Sequence, residues 1–212
     1  MGLISILFTA GTIGVERITM ILQLIKEEDI LEVLEIYTPY VLDTDITFED
    51  VVPSLESFSE RVEHYTAQFP WIVAREHGQI AGYAYASPYR ERSAYQWGCE
   101  LSIYLRSDYQ GMDLGRTLYS ALMDFLTIQG YYSAYGIITL PNDASIALHN
   151  QLGFEMDGIQ KQVGFKHGKW HDTAIMSKEL LTHTSTPKAP PKSIHELPSD
   201  VINAILTKGP LH

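Results

Sequence analysis

The sequence predicts one α/β domain, of the α+β kind, with a mixed central sheet of about seven strands flanked by helices. Apolar runs of strand type alternate with stripes at helical spacing, in the order strand, helix, helix, three strands, helix, strand, helix, two strands. A length of 212 residues suits one domain with appendages. The hydrophobic share of 45% supplies a core, and the charged share of 19% is too low for wholesale disorder.

Residues 20–181 carry this pattern. Ile21 to Ile25 reads as a strand, and the acids Glu27, Glu28 and Asp29 suit the start of a helix because they complement its dipole. Ile30, Val33, Leu34 and Tyr37 then recur at helical spacing, and Pro53 opens a second helix running to about Gln68. From Trp71 the period changes to that of strands: Trp71–Ala74 and Ile80–Ala86, joined by a turn at His77-Gly78. A third strand follows from Gln96 to Leu105, with Glu100, Ser102 and Tyr104 on one face and Cys99, Leu101 and Ile103 on the other. Leu114, Leu118, Ala121, Leu122 and Phe125 make a helical stripe that ends at Gly130. Tyr131–Leu140 is a strand, Asn142 caps a short helix that stops at Gly153, and Phe154–Phe165 with Trp170–Met176 form a closing hairpin.

Two segments lie outside that pattern. Residues 1–19 are expected to be an extension, because patterned sequence begins only at Met20, which is also a candidate translation start. The apolar run Met1–Val15 is too short to span a bilayer and lacks the cationic start of a secretory signal. Residues 182–212 hold a stiff linker with Pro187, Pro190 and Pro191, then a short amphipathic stretch from Ser199 to Leu206, read as a frayed tail or a docking segment.

Charge and cysteine content narrow the function. With 26 acidic against 15 basic residues the net charge is −11, which repels nucleic acid, and no Lys/Arg-rich run offsets it. No membrane partner is expected. The single cysteine, Cys99, rules out an intramolecular disulfide framework and suits the cytoplasm.

The segment that carries chemistry is a strand, a glycine turn and a helix: Ile103-Tyr104-Leu105, then Gln110-Gly111-Met112-Asp113-Leu114-Gly115-Arg116. Free N–H groups and the dipole at a helix start bind anions, and glycine lets the main chain approach a pyrophosphate closely.

This turn resembles that of the GNAT acetyltransferases, Arg/Gln-x-x-Gly-x-Gly/Ala after a strand, with Asp113 where the middle glycine is expected. The resemblance narrows to the phosphinothricin and methionine sulfoximine acetyltransferase group and covers about residues 21–181. It is carried by Tyr83-Ala84-Tyr85-Ala86-Ser87-Pro88, Tyr95-Gln96-Trp97-Gly98-Cys99-Glu100, Leu140-Pro141-Asn142-Asp143-Ala144-Ser145, His149-Asn150-Gln151-Leu152-Gly153-Phe154 and the run from Gly164 to Asp172.

The resemblance implies a single GNAT-type domain using acetyl-CoA as co-substrate, with no metal. By it, Ile103, Tyr104 and Leu105 line the pantetheine arm, Gln110 to Arg116 cradle the phosphates, and Asn142 contacts the arm. Glu100 matches the group's strand carboxylate, and His149 its histidine near the coenzyme sulfur. Arg90, Arg92 and Tyr95 match its substrate loop. Thr139 stands where the group has glycine. A homodimer is implied as well.

The chemistry agrees, since an alkylammonium needs a proton acceptor before it attacks a thioester. Which of Glu100 and His149 is the base stays open at this level. His167, His171 and Asp172 belong to the hairpin and are not read as metal ligands. Cys99 is an acyl carrier on paper, but a buried strand cysteine is the better reading. The function expected is acetylation of the primary amine of a small amino-acid-like substrate. The alternatives are a protein N-terminal or ribosomal acetyltransferase and a non-catalytic acyl-CoA sensor.

Overall fold

The computed structural model describes residues 2–7, 17–187 and 189–208. One sheet runs through the molecule. Its strands are β1 (Gly2–Leu7), β2 (Arg17–Leu24), β3 (Trp71–Glu76), β4 (Gln79–Pro88), β5 (Gly98–Leu105), β6 (Ser133–Leu140), β7 (Glu155–Lys166) and β8 (Lys169–Glu179). The order across the sheet is β1-β2-β3-β4-β5-β6-β8-β7, and only the β5–β6 pair is parallel. Strands β2 to β8 are those read from the sequence. β1 adds another, pairing with β2 inside the stretch expected to be an extension. The rest of that stretch, Met1 and residues 8–16, lies outside the described residues.

Among the described residues five α-helices cover the two faces: α1 (Ile30–Asp43), α2 (Leu55–Thr66), α3 (Leu114–Gln129), α4 (Asp143–Gln151) and α5 (Ser199–Thr207). Local chemistry sets their ends. Ser54 Oγ accepts from the Ser57 N–H and caps α2, and Asn142 Oδ1 accepts from the Ser145 N–H and caps α4. Gly130, at φ 100°, closes α3 in the left-handed conformation that costs glycine least.

The sheet separates two apolar cores. One lies under α1 and α2, where Trp71, Val73, Ile80 and Tyr83 meet Val33, Tyr37 and Phe58. The other lies under α3, where Ala84, Ala86, Cys99 and Leu101 meet Leu114, Leu118, Leu122 and Phe125. The alternation of Tyr83 and Tyr85 with Ala84 and Ala86 along β4 serves both, large side chains on one face and small ones on the other. Cys99 is fully buried in the second core, and burial pushes its thiol pKa up, away from nucleophilic chemistry.

The C-terminal segment docks on its own domain. Gln129 Nε2 donates to the carbonyls of Gln68 and Lys192, both at 2.8 Å, and Trp97 Nε1 donates to the Ala189 carbonyl at 3.0 Å. Ile194, Leu197, Ile205 and Leu206 are buried in the α3-side core. Burial of each such side chain is worth roughly 1.5–3 kcal/mol, enough to hold a short helix that would not persist alone.

Candidate active site

The site is built where two strands part. β5 and β6 pair only at Gly98–Ser133, Cys99–Ala134 and Glu100–Tyr135. Beyond Glu100, β5 stays with β4 as far as Leu105, while β6 stays with β8 as far as Leu140. A gap therefore opens within the sheet. The Arg106 N–H donates to the Ala81 carbonyl, so alternation turns the main-chain groups of Tyr104 and Ser102 to β4 and those of Ile103 and Leu105 into the gap.

Two cavities meet there. The first, about 220 Å³, is lined by Glu100, Tyr119, Gly136, Thr139, His149 and the loop Ile46-Thr47-Phe48, among others. The second, about 510 Å³, runs along Ile103 and Leu105 to Gln110, Gly111, Asp113, Gly115 and Arg116. Ile46, Ile103, Asn142 and Ser145 border both cavities.

His149 is fixed from several sides. It lies on α4 at 2% exposure, and its Nδ1 is 2.8 Å from the Ser145 carbonyl. A carbonyl only accepts, so Nδ1 carries the proton and Nε2 keeps a free lone pair. Nε2 has no hydrogen-bond partner among the described residues. Tyr119 and Phe154 meet the ring edge-on at 5.4 and 4.9 Å between centroids, and Gly136 lies against it where any Cβ would collide. Burial holds the imidazole pKa below its ordinary value. Glu100 shares the cavity, and burial holds its carboxyl above its ordinary value. The cavity thus contains two proton acceptors whose pKa values burial draws toward each other, the carboxyl upward and the imidazole downward.

The turn before α3 explains its own sequence. Gly111 at φ 75° and Asp113 at φ 60° are both left-handed, so the glycine expected at 113 answers a backbone need that Asp tolerates better than most residues. The Asp113 carboxylate takes a two-pronged contact from Arg116, at 2.7 and 3.1 Å. Asp113→Gly should therefore relax the turn and release Arg116 toward an anion. Acetyl-CoA binding measured by calorimetry should tighten several-fold, and unchanged affinity would refute this. Gly115 serves packing, since an added Cβ there would press on Leu148 at 3.2 Å.

Other expected residues fall differently. Leu114 is buried in the core, and neither it nor Met112 lines either cavity. The Tyr104 ring packs edge-on against Tyr37 and Tyr40 while bordering the first cavity. Asn142 borders both cavities, with its Oδ1 engaged as the helix cap. Thr139 reaches the first cavity and donates to the Ile46 carbonyl at 3.3 Å. Arg90, Arg92 and Tyr95 do not reach it within one chain. They line a separate cavity of about 720 Å³ beside Pro190 and Pro191, with the Arg90 guanidinium over the rings of Tyr89 and Tyr95.

Sequence reasoning missed the loop after α1. Ile46, Thr47 and Phe48 reach the Glu100 cavity because the β7–β8 hairpin holds them there. The buried Lys166 ammonium donates to the carbonyls of Val41 and Thr47, both at 2.8 Å, and desolvation lowers its pKa. Asp45 pairs with His167 at 2.8 Å and Lys169 at 2.9 Å, and the Lys169 hydrogen bond leads in holding its carboxyl pKa down. The Phe48 ring fills the place of a side chain at Gly164. The Gly164–Asp172 stretch, one of those that carry the resemblance, thus serves this loop.

The sequence signature of the acetyltransferase (GNAT) domain matches residues 22–175. The chain belongs to the GNAT acetyltransferase family. Among curated GNAT relatives, the phosphinothricin N-acetyltransferase of Streptomyces viridochromogenes is 34% identical over 72% of this chain and 83% of its own. The L-methionine sulfoximine/L-methionine sulfone acetyltransferase of Salmonella typhimurium is 31% identical over 78% of this chain and 98% of its own. Among solved GNAT structures, the phosphinothricin acetyltransferase of Sinorhizobium meliloti in complex with AcCoA matches with a TM-score of 0.76 and 37% identity, covering 85% of this chain and 96% of that one.

Proposed function

We propose that this chain is an N-acetyltransferase that moves the acetyl group of acetyl-CoA to the primary amine of a small amino-acid-like substrate. The substrates in view are of the phosphinothricin and methionine sulfoximine or sulfone type. One observation carries the reading: the β5–β6 gap joins an anion-binding turn at one end to Glu100 and His149 at the other.

The fit to acetyl-CoA rests on that geometry. Gly111 and the start of α3 offer main-chain N–H groups to the diphosphate, and the groups of Ile103 that face the gap suit an amide-bearing arm. Acetyl-CoA supplies an activated thioester. Glu100 takes the proton that frees the acceptor's amine lone pair. The Ile103 N–H polarises the carbonyl under attack. His149 Nε2 takes the second amine proton as the C–N bond forms, and the imidazolium returns it to the departing sulfur. Direct transfer needs no role for Cys99.

The proposal includes a homodimer in the cytoplasm. Met156, Ile159, Val163, Phe165 and Trp170 are 46–61% exposed along the β7–β8 hairpin, an apolar surface suited to a second copy. Among the described residues no helix is long and apolar enough to cross a membrane. Light scattering decides the mass.

A thiol-release assay tests the function, using phosphinothricin, methionine sulfone, methionine sulfoximine and a panel of amino acids. Turnover on one of the first three is the expected result. Acetyl-CoA binding without turnover on any acceptor would favour a sensor, and no association at millimolar acetyl-CoA would end the enzymatic reading.

A further inference from the structure

Tyr40, in the last turn of α1, lines the second cavity, and its hydroxyl reaches the end of β5. It donates to the Leu105 carbonyl at 2.6 Å and accepts from the Leu105 N–H at 3.2 Å. Gln110 Nε2 donates to the same oxygen at 3.0 Å. A phenol has one proton to give and two lone pairs to receive, so its capacity is fully used. The pair it bridges is one that faces the gap after β6 has left, which an incoming extended amide would pair with in the manner of a strand.

We infer that Tyr40 is a cofactor-site residue whose hydroxyl holds the place of the acetyl-CoA amide arm at Leu105 and is displaced when that arm binds. A carbonyl oxygen accepts twice, but an N–H donates once, so the contest is for the Leu105 N–H. The hydroxyl keeps the strand end paired until the arm arrives, and its hydrogen bonds are lost from the free energy of binding. The Tyr40 ring also touches Tyr104 edge-on at 5.0 Å, and the chain runs directly on from α1 into the loop that carries Ile46, Thr47 and Phe48. Displacement of the hydroxyl therefore acts next to the acceptor cavity as well.

The inference rests on the reading of the gap as an acetyl-CoA site, and calorimetry separates the two. Tyr40→Phe keeps the ring and removes only the hydroxyl. Its affinity for acetyl-CoA should rise about three- to tenfold, the range of one net hydrogen bond. Adenosine 3′,5′-bisphosphate, which lacks the amide arm, should bind both proteins equally. Unchanged or weaker acetyl-CoA binding by Tyr40→Phe, with adenosine 3′,5′-bisphosphate binding intact, overturns the inference. Failure of the unmodified protein to bind acetyl-CoA overturns the proposed function instead. If Tyr40→Phe does not fold, Gln110→Leu releases the third bond. Relative to adenosine 3′,5′-bisphosphate it should also tighten acetyl-CoA binding, by a smaller factor, and no change there counts against the inference.

Discussion

Replacing Glu100 by glutamine should lower kcat by roughly 10²- to 10⁴-fold, the usual contribution of a positioned proton acceptor, with little change in acetyl-CoA affinity. Glutamine keeps the size of the side chain and its place in the cavity but cannot take the ammonium proton. The pH profile gives the stronger test. Burial raises the Glu100 pKa and lowers that of His149, and both groups accept a proton only when deprotonated. Activity of the unmodified protein should therefore rise with pH, with its acid limb above the ordinary carboxylate range. In Glu100→Gln the part of that limb due to Glu100 should vanish. A variant that kept most of its rate and the same limb would remove Glu100 from the chemistry, because a structural role for the side chain leaves the titration in place.

Gly136→Ala should cost about a hundredfold in kcat/KM, although position 136 carries no reactive group. The added methyl would collide with His149 Nε2 and come within 2.8 Å of Cδ2. A flexible side chain would swing aside. This ring cannot do so freely, because Nδ1 is tied to the Ser145 carbonyl and its edges rest against Tyr119 and Phe154. The strain is of the order of 1–3 kcal/mol for an overpacked site, and a misplaced acceptor accounts for the greater loss of rate. Gly158→Ala is the matched control: it lies in β7, and nothing stands within 4 Å of its added Cβ. Equal activity of the two variants would mean that the position of His149 does not govern the rate. Thermal unfolding of both separates lost rate from lost fold.

Much of the fold was legible in the residues. Asn142 announces a helix start through a bond to the third residue beyond it, and Gly130 announces a helix end by its own left-handed conformation. The stripe of α3 and the alternation along β4 and β5 state which face is buried. Glu100 and His149 were singled out by matching motifs, and the fold brings both to one cavity. The turn from Gln110 to Arg116 was legible because its shape depends on contiguous main chain, with Gly111 and Asp113 both left-handed.

What failed to show depends on pairing at long range. Periodicity says that a side chain is buried, not against what. Arg90 and Arg92 share a loop signature with the expected substrate site, yet within one chain both line a cavity beside the proline linker, with Arg90 stacked on Tyr89 and Tyr95. The loop at Ile46–Phe48 has no period, and its place comes from contacts between the segment 41–48 and the β7–β8 hairpin, made by Lys166 and Gly164 on the hairpin and Asp45 on the loop.

From its sequence alone the protein's main helices and strands, its helix caps and the glycine turn before α3 were determined, because each rests on neighbours along the chain. Only the tertiary structure decided that β5 and β6 part after Glu100, that Gly136 seats His149, that Tyr40 occupies Leu105, and that the C-terminal segment folds back on α3. Each of these depends on strand register and helix docking, where residues remote in the chain come within bonding distance.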